Sequence, residues 1–439
     1  MPTLRDCALM VSTLVDYWMG LEMGKRSSPA ERRPFLVLSL IVNLGLLCAF
    51  KYLGFLCEVM RLLLYSLNLP HELPVPELLL PVGISFYTFQ TLSYSIDVYR
   101  GDKEPEKHLG RFALYVSFFP QLVAGPIERS RRLLPQFYKE HPFDITRVSN
   151  GLRQMLWGFF KKLVIANRLG VYVDAVYDNP ADSSGIAILI ATYFFAFQIY
   201  CDFSGYSDIA IGTARILGYD LMENFRRPYF STSIREFWSR WHISLSTWFR
   251  DYLYIPLGGN RGSTTRWFLN IFLVFLLSGL WHGANSTFLE WGALHGTYFI
   301  LFIGLSRFLH AVGWPRPFAR HPRIRRALAA LFTFHLVLFA WIFFRANSVS
   351  DAAQLIGRMA CAEASGVGIL GPFSARKMAI AVGAILFMEL VHLCQGETDI
   401  ATYVSERPLW IRWATYYALI FAILCLGVFD QSPFIYFQF

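Results

Sequence analysis

Apolar residues fall in long blocks separated by short, often basic, polar connections. Stretches 35–56, 78–98, 185–201, 288–305, 327–344, 377–395 and 409–429 each come close to the ~20 predominantly apolar residues that cross a bilayer as a helix. Shorter or mixed stretches lie at 8–22, 112–124, 151–166 and 267–281. A soluble core has no need of such blocks. The pattern predicts an all-α polytopic membrane protein with about eight to eleven embedded helices, some re-entrant or lying at the surface. No internal repeat, low-complexity tract or soluble domain breaks the series, so one membrane domain over 1–439 is expected.

Composition supports this reading. The chain is 55% hydrophobic and 17% aromatic, and only 16% charged, against roughly 25% charged in ordinary soluble proteins. Net charge is +9, but the basic residues cluster between apolar blocks at Lys25–Arg33, Arg129–Lys139, Arg226–Arg266 and Arg316–Arg326. Such clusters suit loops held on the cytoplasmic side. No stacking-aromatic pattern of an RNA-binding sheet accompanies them, and a nucleic-acid partner is not expected. The seven cysteines form no CxxC pair and lie mostly in apolar stretches, which points to neither a disulfide framework nor a zinc site. Asp16 interrupts the first apolar run and no small-residue cleavage site follows, so a removable signal peptide is not expected.

The segment 218–266 is polar and aromatic together. Within it, Ile234, Phe237, Trp238, Trp241, Leu245, Trp248, Phe249 and Tyr252 recur at the spacing of one helix face over 233–255. Arg235, Glu236, Arg240, Arg250 and Asp251 fall off that stripe, as suits an interfacial helix. His242 falls at the edge between the two faces, where a side chain can meet a wet pocket.

A second histidine, His282, follows the apolar run 267–281 and sits in Ser278-Gly-Leu-Trp-His-Gly-Ala-Asn285. On a helix entering at Arg266 it rises ~24 Å, short of a ~30 Å hydrocarbon core. A histidine at that depth faces a cavity or partner, or else lies near the far interface satisfied by a carbonyl. Gly279 and Gly283 bracket it, and Asn285 would share its face. His295 would lie ~20 Å further on a continuous helix, nearly on the opposite face, and so should not join the same site. His335 and His392 read as satisfied core residues. Imidazole suits general-base work in acyl transfer, where a hydroxyl loses its proton as it attacks a thioester. The developing oxyanion needs a donor, which His242 or Asn285 could supply. No GxSxG elbow, P-loop or HExxH metal motif is present.

Several motifs, in order over about 80–300, resemble the membrane-bound O-acyltransferase family. They are Pro81-Val-Gly-Ile-Ser-Phe-Tyr87, Phe118-Phe-Pro-Gln-Leu-Val-Ala-Gly-Pro126, Gln198-Ile-Tyr-Cys-Asp-Phe-Ser-Gly-Tyr-Ser-Asp-Ile-Ala-Ile-Gly212 and Met222-Glu-Asn-Phe-Arg-Arg-Pro-Tyr229. The runs Phe237–Tyr252 and Ser278–Gly283 complete the set. The nearest likeness is to the bacterial branch that acetylates alginate, cellulose and peptidoglycan, with teichoic-acid D-alanylation more distant. The resemblance implies a ring of helices around a tunnel in the bacterial inner membrane, with His282 as the essential catalytic residue and His242 as its companion. It also implies a cytoplasmic acyl donor such as acetyl-CoA or another acyl thioester, with no bound cofactor. An extracytoplasmic polysaccharide would be the acceptor, often reached through a periplasmic or membrane-anchored acetyltransferase partner. Arg240 and Arg250, within the group Arg226, Arg227, Arg235, Arg240 and Arg250, would hold an anionic donor, with Trp241 and Asn285 also in contact with substrate. Members of this branch carry one or two apolar segments before the part resembling Thr13–Gly20, where this chain almost begins. A transporter or flippase is the competing reading, and it would predict broken helices in corresponding halves or an inverted repeat.

Overall fold

Every regular element among the described residues is helical. The structure, a computed structural model, describes residues 4–70, 80–313, 321–361, 366, 368–429 and 434–435. Residues 78–79 of the second apolar stretch and 316–320 of the last basic cluster lie outside the described residues.

The chain forms two compact units, Met1–Pro142 with Tyr219–Met222, and Phe143–Gly218 with Glu223–Phe439. The first contains α1 (Leu4–Gly24), α2 (Pro29–Ser66) and α3 (Ile84–Arg100). Asp16, which interrupts the first apolar run, is fully buried and accepts hydrogen bonds from Ser39, from Ser95 at 2.7 Å and from Asn43 at 2.8 Å. Those donors come from α2 and α3, so one carboxylate ties three helices where apolar contact alone gives little preference between neighbours.

The second unit holds α4 (Ile145–Phe159), α5 (Gly185–Ile216), α6 (Ile234–Arg240), α7 (Ile243–Phe249), α8 (Thr264–His282), α9 (Ser286–Ala311), α10 (Pro322–Arg345), α11 (Ala375–Gln395) and α12 (Leu409–Leu426). Among the described residues seven helices are long and apolar enough to cross a membrane: α2, α5, α8, α9, α10, α11 and α12. Six of the long apolar stretches fall in these helices, and the short stretch 267–281 supplies the seventh. The stretch 78–98 instead yields α3, which is buried along nearly its whole length. Its Ser, Thr, Gln and Tyr side chains suit packing among helices better than exposure to lipid. The two aspartates of the Gln198–Gly212 motif, on α5, face lysines: Lys161 meets Asp208 at 2.6 Å and Lys162 meets Asp202.

Helices α8 and α9 form a hairpin whose backbones nearly touch. A Cβ at Gly279 would sit 2.1 Å from the Phe288 carbonyl oxygen, and one at Gly292 would sit 2.4 Å from that of Phe275. Both clashes are with backbone, which cannot rotate aside. Gly304 on the same α9 has nothing within 4 Å of a built Cβ. Gly279→Ala or Gly292→Ala is therefore expected to lower stability by roughly 1–3 kcal/mol, read as a lower melting temperature in detergent. Gly304→Ala should leave that temperature unchanged. Equal behaviour of the three variants would contradict close backbone contact.

Candidate active site

The expected continuous helix over 233–255 is broken. Its apolar stripe is real, since Ile234, Phe237, Trp241, Leu245, Trp248 and Phe249 are all buried. However, α6 ends at Arg240, and His242 adopts a left-handed backbone with φ 43° before α7 begins. A non-glycine residue pays for that conformation in steric strain. The compensation is non-local. Asn224, in the preceding Met222–Tyr229 motif, runs alongside the break. Its carbonyl accepts from the Ile243 N–H at 2.9 Å, and the Arg226 N–H donates to the Arg240 carbonyl at 2.8 Å.

Asn224 also fixes the state of His242. Its side-chain oxygen accepts from the Ser244 backbone N–H at 3.2 Å and the Ser244 hydroxyl at 2.9 Å, and it faces His242 Nδ1 at 3.1 Å. A backbone N–H can only donate, so the amide atom there must be oxygen, and Nδ1 must carry the proton. His242 thus keeps its lone pair on Nε2. Its ring is fully buried, with Phe203 edge-on at 4.6 Å, and burial pushes its pKa down to about 3. It is neutral at any physiological pH.

His282 is the last residue of α8, and the chain turns back at once through Gly283 into α9. It is 3% exposed. The Trp281 indole lies 4.9 Å from the His282 ring and 6.1 Å from the His242 ring, centroid to centroid. The sum of those distances limits how far apart the two imidazoles can be, so the 40-residue separation in sequence closes to within one indole. Trp291 and Phe344 pack on His282 at 5.0 and 5.3 Å.

The turn changes two other expectations. Asn285 does not share a helix face with His282. It caps α9, accepting from the Thr287 N–H at 3.2 Å and donating to the Asn347 carbonyl at 2.9 Å. His295 is not remote, because the hairpin brings it back: its ring and that of His282 both lie 5.0 Å from Trp291. The Trp238 indole N–H donates to His295 Nδ1 at 3.3 Å. Of the remaining histidines, His335 is satisfied by Tyr193 and the Leu331 carbonyl but is exposed rather than in the core. His392 is buried beside Tyr200 and Glu389.

A cavity of about 1000 Å³ opens beside these residues, with Trp238, Phe275 and Ser278 on its inner wall and Arg235, Arg250 and Arg307 also lining it. Neither His242 nor His282 is among its lining residues. Ile243 and Ser278 are, the first adjacent to His242 and the second about one helical turn before His282. Arg240 does not line it either. Its guanidinium is held by Glu236 at 3.0 Å and Glu397 at 3.8 Å. Arg227 is likewise paired with Glu397 at 2.6 Å and Arg226 with Glu223 at 2.5 Å. Trp241 is in the aromatic core, against Phe225 at 5.0 Å and Trp341 at 5.1 Å. Sequence reasoning missed Asn224, Trp238 as a histidine partner, and Arg307. The Met222–Tyr229 motif was the signal for the first.

The membrane-bound O-acyltransferase family model, MBOAT, matches residues 107–346, and the chain belongs to that family. It is a multi-pass membrane O-acyltransferase and works on an acyl donor. It is 39% identical to the probable alginate O-acetylase AlgI of Pseudomonas putida, over 97% of this chain and 89% of that protein. With the AlgI of Pseudomonas aeruginosa identity is 42%, over 79% of this chain and 64% of that one. The peptidoglycan O-acetyltransferase of Helicobacter pylori is 36% identical over 80% of this chain and 69% of its own length. Against this set of acyltransferases the transporter reading is not favoured.

The depressed pKa of His242 has a consequence for stability. The unfolded imidazole titrates near 6.5, whereas the native one stays neutral down to about 3. Between those values protons favour the unfolded chain, so stability is present above about 6.5 and is lost as pH falls. The melting temperature should therefore drop more steeply from pH 6.5 to pH 5 in the wild type than in His242→Gln. Parallel slopes would contradict a neutral buried imidazole.

Proposed function

We propose that this enzyme acetylates an extracytoplasmic polysaccharide, such as alginate, cellulose or peptidoglycan, from the bacterial inner membrane. The donor is an acyl thioester, acetyl-CoA in the first instance, supplied from the cytoplasm. The acyl group passes outward to the polymer, directly or through a periplasmic or membrane-anchored acetyltransferase. The names of the relatives support the polymer class. The observation that carries the chemistry is the position of His282, at the turn of a helical hairpin one helical turn beyond the cavity wall.

In this reading His282 is the general base. A hydroxyl oxygen attacks the thioester carbonyl carbon as its proton passes to the imidazole. The C–O bond forms with the carbonyl electrons moving onto oxygen, and the C–S bond breaks as they return, the thiolate taking the proton from the imidazolium. His242 suits the companion role rather than the base. A pKa of about 3 leaves it a weak proton acceptor, and its place against Trp281, which also packs on His282, suits positioning rather than proton transfer. Arg250, which also pairs with Asp251 at 2.7 Å, lines the cavity with Arg235 and Arg307, and this cationic lining supports a role in holding the donor phosphates. Arg240, Trp241 and Asn285 act structurally, through the ion pairs, aromatic packing and helix cap described above.

Purified full-length protein in nanodiscs with radiolabelled acetyl-CoA tests the chemistry. His282→Ala should insert and fold, yet lose ~10²–10⁴ in turnover. Wild-type-like transfer by that variant would remove the base from this position. Replacing Arg250 and Arg307 together by Gln should raise the donor KM about tenfold, on the order of 1.4 kcal/mol of lost binding, and flatten its salt dependence. Arg240→Gln should leave both alone. If the double variant kept the wild-type KM, the cavity would not be the donor site.

A further inference from the structure

Two buried N–H groups beside His282 have no hydrogen-bond partner among the described residues: His295 Nε2 and the Trp291 indole nitrogen. Both side chains have 0% exposure. The state of His295 follows from its other nitrogen. Trp238 Nε1–H can only donate, so His295 Nδ1 accepts at 3.3 Å and the neutral ring must carry its proton on Nε2. This is the opposite tautomer to His242, where Asn224 holds the proton on Nδ1. Orphaned buried donors are costly. A phenylalanine at 295 would fill the same space among Phe237, Phe275 and Trp291 without that cost.

These donors are well placed. The Trp291 ring lies 5.0 Å from His282 and 5.0 Å from His295. Two cavity-wall residues touch His295 directly, Trp238 by its hydrogen bond and Phe275 by a stacked ring at 6.3 Å. Trp291 and His295 do not line the cavity themselves; they stand in the ring cluster between Trp238 and Phe275 on its wall and His282. We infer that His295 Nε2–H and Trp291 Nε1–H receive the carbonyl oxygen of the acyl group during transfer, as an oxyanion hole. When the hydroxyl attacks, the carbonyl π electrons move onto oxygen. The two N–H groups stabilise that charge until the electrons return and the thiolate leaves with the proton that the base carried. Preorganised donors in a dry site are effective because they need no reorganisation as charge develops.

The inference rests on the reading of His282 as the base, and the test separates the two. Variants of the full chain are expressed in cells lacking the native protein, at matched membrane abundance and checked for melting temperature. The readout is ester-linked acyl groups released by mild alkali from the surface polymer. His295→Phe, which keeps the ring but not the donor, should lose ~10²–10³ in acylation, the range seen for loss of one oxyanion donor. His295→Gln, whose side-chain amide can again present an N–H, should recover at least tenfold over the Phe variant. Should His295→Phe fold poorly, Trp238→Phe is the substitute. It leaves the imidazole in place but frees its tautomer, and a loss of about tenfold is expected, with the 15N signature of the Nε2–H form of His295 weakened in histidine-labelled protein. Full acylation by the folded His295→Phe variant, or equal loss in the Phe and Gln variants, would overturn the inference. So would an unchanged 15N signature in the substitute. Activity in His282→Ala would instead overturn the base assignment and leave the Phe-to-Gln contrast to be read by itself.

Discussion

The site depends on how closely two helices can approach. Only glycine at 279 and 292 lets α8 and α9 meet backbone to backbone, and only that approach lets the chain reverse within the few residues after His282. The tight hairpin has two effects. It places His282 at a helix end, in a cluster of aromatic rings, and it returns His295 to the same cluster. In an apolar environment such geometry has to come from shape, because hydrophobic attraction does not choose between one apolar neighbour and another.

Within that shape, protonation states are set by single hydrogen bonds. Asn224 holds one histidine with its lone pair on Nε2, and Trp238 holds another with a proton there. Neither arrangement requires a charge, which suits a site built from indole and phenyl rings, where an unpaired ion would be expensive. The charged groups stay at the edge, on the cavity wall or in pairs such as Arg240 with Glu236. The polarity of the site thus rises from the imidazoles outward. An anionic donor would be held at one end and an uncharged acyl carbonyl delivered to the other.

Much of the fold was legible in the sequence. Apolar block length located six of the seven long helices, and of the 3.6-residue stripe from Ile234 to Tyr252 all but the half-buried Trp238 and Tyr252 are buried. What could not be read was set by distant parts of the chain. The break at His242 depends on Asn224, eighteen positions earlier, accepting from residues that a continuous helix would have satisfied itself. Arg240 looked available because its partner Glu397 lies in a different segment. His295 seemed remote because distance was counted along a straight helix, whereas the chain turns at Gly283. Asn285, adjacent in sequence, was consumed by the cap that the same turn requires. Family motifs pointed to His282 and His242 where periodicity left the choice open.

The central claim is that acyl transfer occurs in the aromatic cluster at the hairpin turn. It is tested most directly by an experimental structure of the protein with a non-hydrolysable thioether analogue of acetyl-CoA. The account predicts that the analogue lies in the cavity bounded by Trp238 and Ser278, with its terminal carbonyl carbon within about 4 Å of His282, close enough for a bound hydroxyl to reach both. A carbonyl resting elsewhere, with His282 still enclosed by Trp281, Trp291 and Phe344, would contradict it.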